Sequence, residues 1–437
     1  MAGLGNRDKL LPLTMQANKL YYGWFIAAAS AFGIGCGIAV IIPAAMGLLV
    51  APLHADFGWS SRQIFLAALF NTGCLVIVAP FVGGIVDRFG ARRVICLSFI
   101  AEALIIASFS QMTGDIRGFY ARFAALSIFA AGTTTISFAA VIARWFDRRR
   151  GLALGIALAG FGLGGALWSL LLRWLIDHVG WRHMYLWQSA IVAAITLPLI
   201  FLAIRDTPES LGLQVDGASA GNSPTVKAVV FGKSLREAFS DGQYWLMLGT
   251  FLLIGSAVTS IIFHIVPLLM ARGESSQLAA EAQASLWMVL VIGRISTGWL
   301  MDRFFGPRVA LAFLVLPIVG ISMLASGVTG PTAFAAAILV GLAAGAEADI
   351  IAYLVSRYFG LKHYATIYAT YFAIYALGSG VGPAGTAWTV ERAGGYGPVL
   401  WVLAGLLCIA AVLLLWFRPF PEAYRPAPVF TLDQASA

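Results

Sequence analysis

Apolar runs of about 20 to 30 residues recur twelve times between residues 21 and 418, separated mostly by short polar turns. A helix rising 1.5 Å per residue needs about 20 such residues to cross a bilayer core about 30 Å thick. The runs predict spans at 21–51, 62–86, 94–113, 117–143, 151–178, 182–204, 243–271, 279–301, 309–328, 331–357, 364–391 and 396–418. Short turns make consecutive helices antiparallel neighbours. One long polar break, 205–242, is rich in Ser, Gly, Pro and charge and reads as a linker, with a short amphipathic helix near Ser234 to Phe239. The pattern predicts an all-α integral membrane protein: twelve transmembrane helices in two pseudo-symmetric six-helix bundles, 21–204 and 243–418. A polar segment at 1–20 and a proline-bearing tail at 419–437 flank them.

Two local repeats support the halving. GGIVDRFGARR at 83–93 returns, with one inserted residue, as TGWLMDRFFGPR at 297–308, which sets Asp87 and Asp302 215 positions apart. ARWFDRRRG at 143–151 is echoed by SRYFGLKHY at 356–364, setting Arg144 and Arg357 213 apart. Two unrelated patterns with nearly one offset indicate a duplicated membrane half, a known signature of transporters. The fifth span is glycine-rich, and Gly160 and Gly164 form a small-xxx-small face that permits close helix approach.

The chain is 60% hydrophobic and 11% charged, far from a soluble domain. Its +8 charge does not collect in a nucleic-acid-binding patch. With the N-terminus inside, inner segments hold 20 of the 28 Lys and Arg, outer segments 7, and Arg294 lies within a span. The positive-inside bias therefore places both termini in the cytoplasm. The first apolar run is too long for a signal-peptide core, so no cleaved leader is expected. Cys36, Cys74, Cys96 and Cys408 fall inside spans without CxxC spacing, and neither disulfides, metal nor cofactor is expected.

Ionisable groups inside spans cost about 2.5 to 3.5 kcal/mol and point to function. Arg294 lies eight residues before Asp302, roughly 12 Å from the inner border, where a guanidinium can hold a carboxylate by two parallel hydrogen bonds. Asp349 lies eight residues before Arg357, at similar depth, and is a possible partner of Arg294. Glu347 is turned about 200° from Asp349, so one acid at most faces the cavity, and either is a proton-coupling candidate. His264 is a substrate or proton-relay candidate, against a packing histidine. Asn71, Tyr371 and Tyr375 are possible cavity donors, against packing roles, and Glu102 reads as a helix-packing contact. Asp87, Arg88 and Arg92, with Asp302 and Arg303, read as gate charges at the inner helix ends. Arg148, Arg149 and Arg150 read equally well as positive-inside anchors.

The loop G-x-x-x-D-R-x-G-x-R-R, from Gly83 through Asp87, Arg88, Gly90, Arg92 and Arg93, resembles the signature of the major facilitator superfamily, with its second-half echo at Gly298, Asp302, Arg303 and Arg308. YYGW at 21–24, RWFDRRRGLALGIALAGFGLGG at 144–165 and TPESLGL at 207–213 are similar to the monocarboxylate porter and oxalate/formate antiporter group. The resemblance implies the major facilitator fold, a bacterial inner-membrane setting and a substrate carboxylate on Arg294. The chain departs from it in three places. The first-helix lysine of animal monocarboxylate transporters falls at Ala44, the acid before the eighth-helix arginine falls at Leu290, and span 364–391 has no lysine.

The expected function is secondary active transport of a small organic monocarboxylate, lactate- or pyruvate-like, with a proton, by alternating access in a monomer. The partners expected are the organic anion, the proton and the lipid bilayer. The alternatives are an oxalate/formate-type anion exchanger and a proton-driven exporter of an apolar or cationic compound. No G-x-x-x-x-G-K-[ST], GxSxG or HExxH motif supports an enzyme.

Overall fold

The computed structural model describes residues 21–217 and 232–421; the segment 1–20, the middle of the linker and the tail beyond 421 lie outside the described residues. The spans are helical, with breaks in the first and the fourth. The first span is Tyr22–Cys36 continued by Ile38–Phe57, and the second is Ser61–Phe89, opened by a capping box of Ser60 and Gln63. The third is Ala91–Phe109, and the fourth joins Ile116–Phe129 to Thr135–Trp145. The fifth and sixth share one run, Arg150–Ile191, which turns at Gly180 and ends in Leu197–Ala203. At Gly180 φ is 79°, a left-handed conformation open to a residue without Cβ, and the turn fits in one residue.

The second half repeats the plan: Gly242–Ala271, Ser276–Met301, Gly306–Ala325, Gly330–Phe359, Tyr364–Ala393 and Tyr396–Leu415. The predicted amphipathic helix of the linker is Leu235–Phe239, capped by Ser234 and Glu237. Eight stretches among the described residues are long and apolar enough to cross a membrane, and one of them, Arg150–Ala203, holds two spans. The remaining spans are the third, which carries Arg92, Arg93 and Glu102, the interrupted fourth, and the Tyr-, Thr- and Gly-rich eleventh. The first helix runs on to Phe57, past the expected residue 51, because its polar HADF end still forms helical bonds until Gly58 stops it.

The two halves touch along two seams. Gly83 in the second helix lies against the backbone of Ala365 and Thr366 in the eleventh, and Gly298 in the eighth lies against Gly151 in the fifth. Within the first half, Gly160 and Gly164 lie against Ala31 and Gly35 of the first helix, the close approach expected from their spacing. The Trp168 indole locks that crossing with a 3.0 Å bond to the Gly35 carbonyl.

Candidate functional site

Small residues bring the membrane-embedded charges together. Gly341 and Gly345 in the tenth helix leave a groove that receives the backbone of Leu286 and Leu290 in the eighth. Gly293 reciprocates against Leu342, and Gly155 of the fifth helix rests on the Arg294 carbonyl. Arg294 therefore stands where three helices approach at backbone distance. Its Nη1 donates to Asp349 Oδ1 at 3.0 Å, with Arg294 7% and Asp349 0% exposed. The pairing leaves valence unused: among the described residues Arg294 Nε and Asp349 Oδ2 are buried without hydrogen-bond partners.

Glu347 points elsewhere, as its two-residue spacing from Asp349 requires. Its Oε2 accepts from the Tyr375 hydroxyl at 2.6 Å, and it borders a void of about 20 Å³ beside Phe251, Phe313 and Pro317. His264 lies away from the Arg294 pair. Its Nε2 is 3.0 Å from the Pro383 carbonyl, which can only accept, so Nε2 donates and Nδ1, 3.2 Å from the Tyr396 hydroxyl, accepts. Asn71 Oδ1 accepts from Ser127 at 2.6 Å, and the Tyr371 hydroxyl donates to the Tyr244 carbonyl at 3.0 Å with the ring fully buried. Of the five expected substrate contacts, Arg294 alone joins the Asp349 pair directly, and Tyr375 reaches Glu347. Glu102 is fully buried, with neither carboxyl oxygen hydrogen-bonded among the described residues.

The repeats of the sequence meet in space on the linker side. Asp87 accepts from the Ala365 and Thr366 amides at 3.1 and 2.8 Å and from the Thr366 hydroxyl at 2.7 Å. Asp302 accepts from the Gly151 and Leu152 amides at 2.7 and 2.9 Å. Each aspartate thus closes the N-terminus of a helix in the opposite half, where free amides and the helix dipole favour an anion. The glycine one turn earlier, Gly83 or Gly298, lets the backbones come close enough. Arg144 supports Asp87 at 4.0 Å.

The expected gate arginines stay on their own halves. Arg88 stacks on Phe89 and Arg303 on Trp299, while the Arg92 guanidinium donates to the Phe201 carbonyl and its backbone amide to Asp206. Of the arginine triplet, Arg150 is no surface anchor: it is 4% exposed and donates to Ser356 at 3.0 Å. Asp147 joins the same cluster, bound to Arg357 at 2.7 Å and Arg150 at 3.2 Å.

Sequence reasoning missed this Asp147–Arg357 tie, because the 213 offset places Gly360 opposite Asp147 and the repeat hides a contact that exists once. It also missed a double helix break. The first helix interrupts at Gly37 and the fourth at Ala131–Thr133, and the two breaks touch where the Thr133 hydroxyl accepts from the Ile38 amide at 3.2 Å. The signals were present in GIGCGI at 33–38 and GTTT at 132–135.

Comparison with known proteins agrees with this architecture. The family model described as Major Facilitator Superfamily matches residues 23–383. Monocarboxylate transporter 11 of Mus musculus is 26% identical over 387 residues, 86% of this chain and 83% of the relative. Its Homo sapiens counterpart is 29% identical over 339 residues, 76% of this chain and 69% of the relative. Among solved structures, the superfamily transporter FucP in the outward conformation aligns with a TM-score of 0.68 at 14% identity, over 91% of this chain and 100% of that one. The proton:xylose symporter XylE aligns at 0.69 and 14%, over 91% and 96%. With the family model covering most of the chain, the chain belongs to the Major Facilitator Superfamily and is a multi-pass membrane transporter, not an enzyme, similar in sequence to monocarboxylate transporters.

Proposed function

We propose that this transporter moves a small organic monocarboxylate together with a proton by alternating access. The observation that carries the reading is the buried Arg294–Asp349 pair at 3.0 Å, with Nε and Oδ2 unpartnered among the described residues. A substrate carboxylate competes with Asp349 for the planar guanidinium, which binds carboxylates at two points. A buried carboxylate that loses its cation takes a proton rather than remain charged in a medium of low dielectric. One acid anion and one proton then enter an electrically neutral site and leave it neutral. A dianion of the oxalate type would add an uncompensated charge at a cost of about 2.5 to 3.5 kcal/mol, which argues against the exchanger.

On this reading Asp349 carries the proton, Glu347 and Tyr375 support the tenth and eleventh helices, and Asp87 and Asp302 are the latch. The two bundles, 21–204 and 243–418, rock about the linker in a transporter working as a monomer, both termini lie in the cytoplasm, and the latch closes the cytoplasmic side. Proteoliposomes loaded at pH 7.5 and diluted to pH 6 with labelled monocarboxylates test it. Uptake should be driven by the gradient, drop at least 100-fold in Arg294→Ala, and lose its gradient dependence in Asp349→Asn. Full uptake by Arg294→Ala, or oxalate carried in preference to every monoacid, would overturn the reading.

A further inference from the structure

A cavity of about 410 Å³ opens between the first, fifth and eighth helices, on the side of the membrane away from the latch. Its walls include Pro43, Ala44, Phe161, Gly165, Ser169 and Trp287. The volume lies within the range of small-molecule sites. The chemistry of its walls is unlike that of a site for a short hydroxy acid. Among the described residues no charged side chain lines it, and its one hydroxyl, Ser169, donates to the Gly165 carbonyl at 2.8 Å. Trp287 and Phe161 offer two aromatic surfaces, and the Trp287 indole brings the remaining side-chain N–H. Ala44 adds only a methyl group.

The cavity is in line with the charged pair. Trp287 precedes Arg294 by seven residues, so the two lie about 20° apart on the eighth helix and roughly 10.5 Å apart along it. Gly162 of the fifth helix, also in the wall, packs on Val291 between them. A carboxylate held at Arg294 by a molecule that also reaches Trp287 needs a body several carbon atoms long. For the hydroxyl of a three-carbon acid these walls offer one side-chain acceptor among the described residues, the Ser169 oxygen, whereas each methylene buried there favours binding about four-fold.

We infer that this cavity receives the hydrocarbon body of the substrate, and that the acid carried has an aromatic or branched apolar body rather than a three-carbon chain. The inference rests on the carboxylate reading of Arg294 and deepens it.

The test uses purified full-length protein in detergent, with ligand-induced thermal stabilisation titrated for lactate, phenylpropionate and phenylpropionamide. Phenylpropionate should half-saturate at least ten-fold below lactate, and the amide should bind weakly. Gly165→Leu, whose side chain enters the cavity, should lower the phenylpropionate-to-lactate preference at least five-fold; Trp287→Ala should do the same should Gly165→Leu fail to fold. Equal or better binding of lactate, or an unchanged preference in a folded variant, overturns the cavity assignment and leaves the carboxylate reading standing. An amide binding as tightly as the acid, with the preference lost in the variants, overturns the carboxylate reading and keeps the apolar site. Binding of none of the three overturns both.

Discussion

Gly298→Ala adds one methyl group at the seam between the eighth and fifth helices, and that methyl would overlap the Gly151 carbonyl. Backbone atoms on a packed helix cannot rotate aside, so the helices must part by about 1 Å to restore ordinary van der Waals distance. Parting stretches the bonds from Gly151 and Leu152 to Asp302, now 2.7 and 2.9 Å, by about 1 Å, beyond the range of useful hydrogen bonding. Bonds to a charged acceptor contribute about 1.5 to 3 kcal/mol each, but the freed carboxylate regains water, so the net loss is about 2 kcal/mol. That shifts the balance between forms closed and open on the linker side about thirty-fold toward open. The assay is maleimide labelling of a single cysteine at Ser356, which is 2% exposed in the closed form, in a background where Cys36, Cys74, Cys96 and Cys408 are replaced. Labelling should accelerate at least ten-fold in Gly298→Ala. Gly249→Ala is the control, since nothing lies within 4 Å of its added Cβ. Labelling as slow in Gly298→Ala as in the parent, or equally fast in both variants, would refute the argument that the glycine exists to admit the partner backbone.

Gly345→Ala places a methyl group against the Leu290 carbonyl and the Arg294 amide, so substrate-induced stabilisation should fall at least ten-fold while the protein still folds. Burial pushes the Asp302 carboxyl up to about 6 against the two amide bonds that lower it. In the open form it meets water and titrates near 3.8. The closed form therefore holds the proton more tightly and gains on the open form as pH falls from about 6 toward 4, with little change above 7. Cysteine labelling at Ser356, expressed relative to the rate of a free thiol at the same pH, should slow between pH 7 and 5.5, and Asp302→Asn should remove that residual dependence. Arg357→Ala should cost about 2 to 4 kcal/mol of stability against heat, because it strips a 2% exposed cation from Asp147. Arg173→Ala breaks a pair whose side chains are 66% and 49% exposed and should cost less than about 0.5 kcal/mol.

The sequence by itself determined the twelve spans, the halving and the matching positions of Arg294 and Asp349 along their helices. Each is a one-dimensional property: apolar length must match the bilayer, and a constant helical rise converts residue number into depth. It also separated Glu347 from Asp349, because two residues on a helix point to opposite sides whatever surrounds them. Only the tertiary structure decided which helices meet. The Arg294–Asp349 contact depends on the Gly341–Gly345 groove, and glycines in a membrane helix look alike until the partner backbone is in place. The same holds for the repeated loops. Their residues announce a duplication, but that each aspartate caps a helix of the other half, while Arg88, Arg92 and Arg303 remain at home, follows from the crossing of the halves. Distances across a seam join residues 151 to 302 and 87 to 366, and no periodicity along the chain contains them.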